Sequence, residues 1–114
     1  MPHFIIDCSD QILTLKSPIV IMQSVFNAAE SSKLFEKGDI KVRINPFKHY
    51  NVGGSEDDFI HVFGNIMEGR TTDQKQKLSS CIISELKNMF PEVPIISINI
   101  RDFEKASYCN KSMV

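Results

Sequence analysis

Four residues carry chemistry by their type and position: Pro2, Lys41, Arg43 and Arg70. Pro2 stands between Met1 and His3-Phe4-Ile5-Ile6, an apolar run that reads as a strand, so the opening residues are expected to be held in the fold. With Met1 removed, Pro2 becomes a secondary amine fixed at the end of a buried strand, and such an amine is a base. Lys41 and Arg43 lie two apart in Ile40-Lys41-Val42-Arg43-Ile44, so they project from one face of a strand. Their spacing alone fits a solvated edge better than an anion site. Arg70 precedes Thr71, which pairs with Gln74 in a capping box, and the backbone N–H groups of a helix start favour an anion. An arginine there is either a surface residue or half of a carboxylate clamp. Taken one at a time, none of the four defines a function.

Other chemistries match poorly. His3, His49 and His61 have no H-x-x-x-H spacing and no cysteine nearby, so no metal site is expected. Gly53-Gly54 and Gly69 fit neither a phosphate loop nor a dinucleotide fingerprint and read as turn glycines. No G-x-S-x-G elbow is present. Cys8, Cys81 and Cys109 are odd in number and far apart, which argues against a disulfide framework and for a reducing cytoplasm. Cys8 reads as a small apolar filler that closes the first strand, with the option of facing a pocket.

Composition narrows the field further. The 114 residues are 42% hydrophobic and 24% charged with a net charge of −1, without the basic surplus that nucleic-acid binding calls for. No apolar run approaches the roughly 18 residues of a membrane span. Asp7 and Asp10 make the opening unlike a secretion signal.

The elements that must position the four residues follow from periodicity. Residues 2–8 read as a strand with Phe4 and Ile6 on one face. Ser17-Pro18 starts a helix to about Lys33 that buries Met22, Val25, Phe26 and Ala29. A strand over residues 40–44 ends at Asn45-Pro46, and Phe59 to Met67 forms a third. The Thr71 capping box opens a helix to about Phe90 with Leu78, Ile82, Leu86 and Met89 inward. Ile96, Ile98 and Ile100 alternate with polar residues in a fourth strand, and the last dozen residues are polar and irregular.

This is strand–helix–strand twice, with Phe4-Ile5-Ile6 answered by Phe59-Ile60-His61 after 55 residues. The expected fold is one α/β (α+β) sandwich domain over residues 1–114. It has a βαβ repeat over about 2–45, a second over about 57–103, and a polar tail over 104–114. The two repeats share one four-stranded sheet with both helices on one face. The other face is left bare, so Ile5, His61 and their outward neighbours are expected to pack on another subunit.

The residues M-P-H-F-I-I-D-C-S resemble the amino terminus of 5-carboxymethyl-2-hydroxymuconate isomerases, a branch of the tautomerase superfamily. The similarity continues through Leu34-Phe35, Gly38, Ile40-Lys41-Val42-Arg43, Phe59-Ile60-His61-Val62 and Gly69-Arg70-Thr71, covers about residues 1–103 and fades in the tail. The opening nonapeptide is the most specific part. The resemblance implies a trimer of βαβ-repeat subunits and an amino-terminal proline as catalytic base, here Pro2. It also implies cationic partners that hold substrate carboxylates and polarise the 2-hydroxy or 2-oxo group, here Lys41, Arg43 and Arg70. Family members usually carry arginine where this chain has Lys41, so the charge is kept but two-point recognition is lost. The implied reaction is a cofactor-free proton transfer within a small anionic unsaturated keto or hydroxy acid. A trimeric binding module of the same fold, with catalysis weak or lost, is the competing expectation.

Overall fold

The computed structural model describes residues 1–114. Strand β1 (His3–Ser9) is followed by a single helical turn, α1 (Ile12–Leu15), and by helix α2 (Pro18–Ser31). Strands β2 (Lys41–Phe47) and β3 (Phe59–Met67), helix α3 (Thr72–Met89) and strand β4 (Ile95–Phe103) complete the order. The sheet runs β2-β1-β3-β4, with β1 parallel to β2, β3 parallel to β4, and the two halves meeting antiparallel at β1 and β3. Each parallel pair needs a crossover, and α2 and α3 supply them on the same side.

The core lies between the helices and one face of the sheet. Phe4, Ile6 and Cys8 from β1 and Ile60, Val62 and Ile66 from β3 are buried there with Ile21, Val25, Leu78, Ile82 and Leu86. Ser17 accepts from the Val20 N–H with Pro18 in the first turn, as its sequence predicts. Thr71 and Gln74 close the capping box reciprocally.

Four expectations need correction. The buried stripe of α2 is Ile21, Val25, Ala28 and Ala29, with Met22 and Phe26 only partly covered, because the helix is rotated to bury its alanines. Strand β2 does not stop at Asn45-Pro46 but runs to Phe47. It is an edge strand, and a proline whose missing N–H faces outward costs the ladder nothing. The repeat is slipped by one residue: Phe59 lies on the open face while Ile60 occupies the place that Phe4 holds in β1. The tail is not wholly irregular, since Lys111–Met113 form a 3-10 turn capped by Asn110.

The sheet face away from the helices carries Lys41 and Arg43 from β2, His3, Ile5 and Asp7 from β1, and His61, Phe63 and Asn65 from β3. No helix covers it. There His61 Nδ1 lies 2.6 Å from Ser97 Oγ and Nε2 lies 2.6 Å from Asn99 Oδ1, and Asn45 donates to Asp7 at 3.3 Å. Gly53 and Gly54, both with positive φ, form the turn predicted for them, closed by the Val52–Ser55 bridge. No helix is long and apolar enough to cross a membrane.

Candidate active site

The amino-terminal end of β1 gathers three of the four chemistry-bearing residues. The Pro2 side chain is fully buried, and its carbonyl accepts from the Lys41 N–H at 3.1 Å, so pairing with β2 extends past the formal start of the strand. With Met1 attached, the Pro2 nitrogen is a peptide nitrogen and the free amine belongs to Met1. Burial holds that amine below its ordinary value of 8.0; Asp39 opposes the shift, while Lys41 and Arg70 add to it.

Lys41 reaches back along this end, donating to the Asp39 carbonyl at 3.0 Å and meeting Met1 Sδ at 3.6 Å. Arg43, one pleat further along β2, turns to His3, with Nη1 3.1 Å from Nδ1. A guanidinium has only donors, so His3 Nδ1 accepts and the ring is neutral with its proton on Nε2. Burial first, then Arg43, Lys41 and the terminal amine, depress the His3 pKa below 6.5.

Arg70 enters from the turn between β3 and α3, where Gly69 has a φ of 120°. Its side chain folds back from the helix rather than across its amino terminus. It donates to the Met67 carbonyl at 3.2 Å and the Leu34 carbonyl at 2.6 Å, and its guanidinium carbon sits 5.0 Å from the Phe35 ring centre. The anion-binding help expected from the α3 amino terminus is therefore replaced by an aromatic face and two backbone acceptors. Phe35 in turn meets Phe4 edge-on at 6.0 Å, which ties the arginine to the core.

Met1, Phe35, Asp39 and Arg70, with Lys33, Leu34 and Glu36, line a cavity of about 280 Å³. Its charges are mixed, two cations against two carboxylates. Of the residues singled out in the sequence, Pro2, Lys41 and Arg70 are brought to this end of β1; Phe35, Asp39 and the His3 contact of Arg43 join them without having been singled out. Only Phe35 had a visible signal, in the Leu34-Phe35 pair. Of the two strand cations, Lys41 acts on the Met1 amine and Arg43 on His3. Cys8 faces the core, where burial, Asp7 and Asp10 push its thiol up to about 11. No three His, Cys, Asp or Glu side chains converge as metal ligands.

A four-stranded sheet of paired βαβ units with both helices on one side is a tautomerase-superfamily fold. The family model described as 5-carboxymethyl-2-hydroxymuconate isomerase matches residues 2–112, and the chain belongs to that family. Among solved structures, an isomerase of that name from Deinococcus radiodurans R1 is similar with a TM-score of 0.84 at 22% identity, covering 96% of this chain and 88% of its own. A fused 4-OT asymmetric trimer is similar at 0.79 and 12% identity, covering 96% and 92%. The macrophage migration inhibitory factor from Trichinella spiralis is similar at 0.75 and 12% identity, covering 96% of each chain. No curated protein sequence matches the chain.

Proposed function

We propose that this protein is a cofactor-free isomerase acting on an unsaturated 2-hydroxy or 2-oxo dicarboxylate of the 5-carboxymethyl-2-hydroxymuconate kind, with Pro2 as general base and acid. The observation that carries the reading is the convergence of Lys41 and Arg70 on the amino-terminal end of β1, where both depress the pKa of an amine. Family membership supports an isomerase, and the fold supports the proline's place at a strand end. In the reaction, neutral Pro2 nitrogen takes the 2-hydroxyl proton of the dienol. The resulting dienolate is stabilised by the fixed charges of Lys41, Arg43 and Arg70. The prolinium then returns the proton to a distant carbon, leaving a 2-oxo-alkenoate and the original amine. No atom is gained or lost and no cofactor takes part. The working form is a homotrimer in a reducing compartment such as the cytoplasm, in keeping with three free cysteines.

One observation favours the binding module instead. Glu36 and Asp39 offset the cations of the adjoining cavity. The two readings part on processing. Intact mass fixes whether Met1 is lost, and ultraviolet absorbance follows ketonisation of 2-hydroxymuconates and phenylpyruvate enol. The isomerase reading expects turnover in the processed form and a loss of about 10²–10⁴-fold in a form retaining Met1. Full activity with Met1 retained ends the proline mechanism. A processed form that binds these acids without turning them over establishes the binding module.

A further inference from the structure

Strands β1 and β2 pair in parallel with His3 beside Lys41 and Ile5 beside Arg43, so His3, Lys41 and Arg43 share the face of the sheet that no helix covers. The Arg43 Nη1 to His3 Nδ1 contact, at 3.1 Å, crosses between the two strands. It exists in this sense only while Nδ1 is bare, since every guanidinium nitrogen is a donor. His3 is also the residue bonded directly to Pro2, so the ring and the proposed base ride on one short piece of backbone. We propose that neutral His3 is a positioning residue, its Nδ1 holding the Arg43 guanidinium where a substrate carboxylate meets it, and that protonating the ring releases Arg43. The identity of the anion rests on the functional reading above; the contact does not.

The charges around the ring favour its neutral form. Lys41 and Arg43 face it from β2, and the terminal amine lies on its own strand. Asn65, its neighbour on β3, is uncharged. From the tail, Glu104, Tyr108 and Cys109 line a cavity of about 380 Å³ with His3, and Glu104 is the one carboxylate among them. Cations outnumber it, and burial acts in the same direction. Below the His3 pKa, Nδ1–H and Nη1–H become two donors and two like charges facing each other. Arg43 then loses the orientation needed for two parallel hydrogen bonds to a carboxylate. Substrate binding weakens, so KM rises on acidification in addition to the loss of rate that comes as Pro2 takes up its own proton, and only the rise in KM is assigned to His3.

The test uses protein shown by mass to have lost Met1. The His3 ring signals are titrated by NMR in the wild type and in Arg43→Leu, with the midpoint expected below 6.5 and moving toward 6.5 without the arginine. Binding of muconate, an unreactive dicarboxylate, is measured by calorimetry at neutral pH. His3→Leu should weaken it about tenfold, the scale of one charge-assisted hydrogen bond. His3→Asn offers Oδ1 in place of Nδ1 and should restore most of the binding while abolishing the acid rise in KM. In an Arg43→Leu background the cost of His3→Leu should vanish. A His3 midpoint indifferent to Arg43, or equal muconate affinity in wild type and His3→Leu, overturns the proposal. A wild type that shows the full pattern with muconate yet converts no dienol removes the isomerase reading and leaves the positioning role standing.

Discussion

Arg70 and Lys41 carry the same charge to the same place in different ways. Arg70 is planar, stacked against Phe35 and fixed by two carbonyls, whereas Lys41 is a point charge on a flexible stem, resting on the Asp39 carbonyl. Arg70→Ala should therefore lower kcat/KM by about ten- to a hundredfold, the scale of a lost charge-assisted hydrogen bond, and Lys41→Ala by less. Steady-state kinetics on the processed protein decide it, and equal small losses would return both residues to the surface. The rate should also rise with pH through a pKa below that of free proline, because Lys41 and Arg70 disfavour the protonated amine. A profile with an unshifted midpoint would detach the cations from the base. Pro2→Ala keeps a primary amine in place and should be impaired but measurably active.

At the level of elements, most of the fold was legible because each strand and helix carries its own period. The capping box at Thr71 and the proline start of α2 are local signals that no tertiary contact overrode. What could not be read was relative placement. The slip of one residue between the halves depends on how β1 and β3 pair, and Phe4 and Phe59 look alike until the pairing assigns them opposite faces. Pro46 reads as a stop because its tolerance comes from being at an edge, a property of the sheet and not of the tripeptide. The site was legible to the same degree: residue types and strand faces were visible, but not the backward turn of Arg70, which is set by carbonyls 3 and 36 positions away in the chain. The antiparallel seam also makes a stability prediction. Phe4 lies opposite Gly64, where an added methyl would come 2.6 Å from Ile100 Cδ1 and 3.2 Å from the Phe4 ring. Gly64→Ala should cost about 1–3 kcal/mol of overpacking, read by chemical denaturation, and a neutral result would mean that Ile100 shifts freely.

For the whole molecule, the uncovered sheet face argues for assembly. Ile5 and Phe63 are apolar residues side by side there, flanked by polar groups that already bond one another, which suits a partner of matched polarity. Light scattering should return three times 13.0 kDa, and a monomer at micromolar concentration would remove the trimer. Stability should also have two pH limits. His3 titrates lower in the folded chain than its ordinary 6.5, so the unfolded chain takes up the proton first. That contribution is complete above 6.5 and is lost as the pH falls toward the folded value. Cys8 is shifted the other way, from 9.0 to about 11, so its contribution is lost as the pH rises between those values. Melting temperature measured against pH should fall on both sides, on the acid side with the terminal amine below 8.0 and then His3 below 6.5, and on the alkaline side with Cys8. His3→Asn should reduce the acid fall alone, and Cys8→Ser the alkaline one.

The double tie made by Arg70 reaches beyond the site itself. Leu34 follows α2 in the first βαβ unit and Met67 ends the third strand in the second, so one guanidinium spans the joint between the units. The rotational freedom that a long side chain ordinarily surrenders on meeting a ligand has already been surrendered during folding. On the proposed function, a carboxylate meeting Arg70 would find its charge already placed, and its binding would load both halves of the subunit at once. Ligand affinity and the cohesion of the two units would then be linked, so a bound dicarboxylate should raise the melting temperature of the wild type more than that of Arg70→Ala.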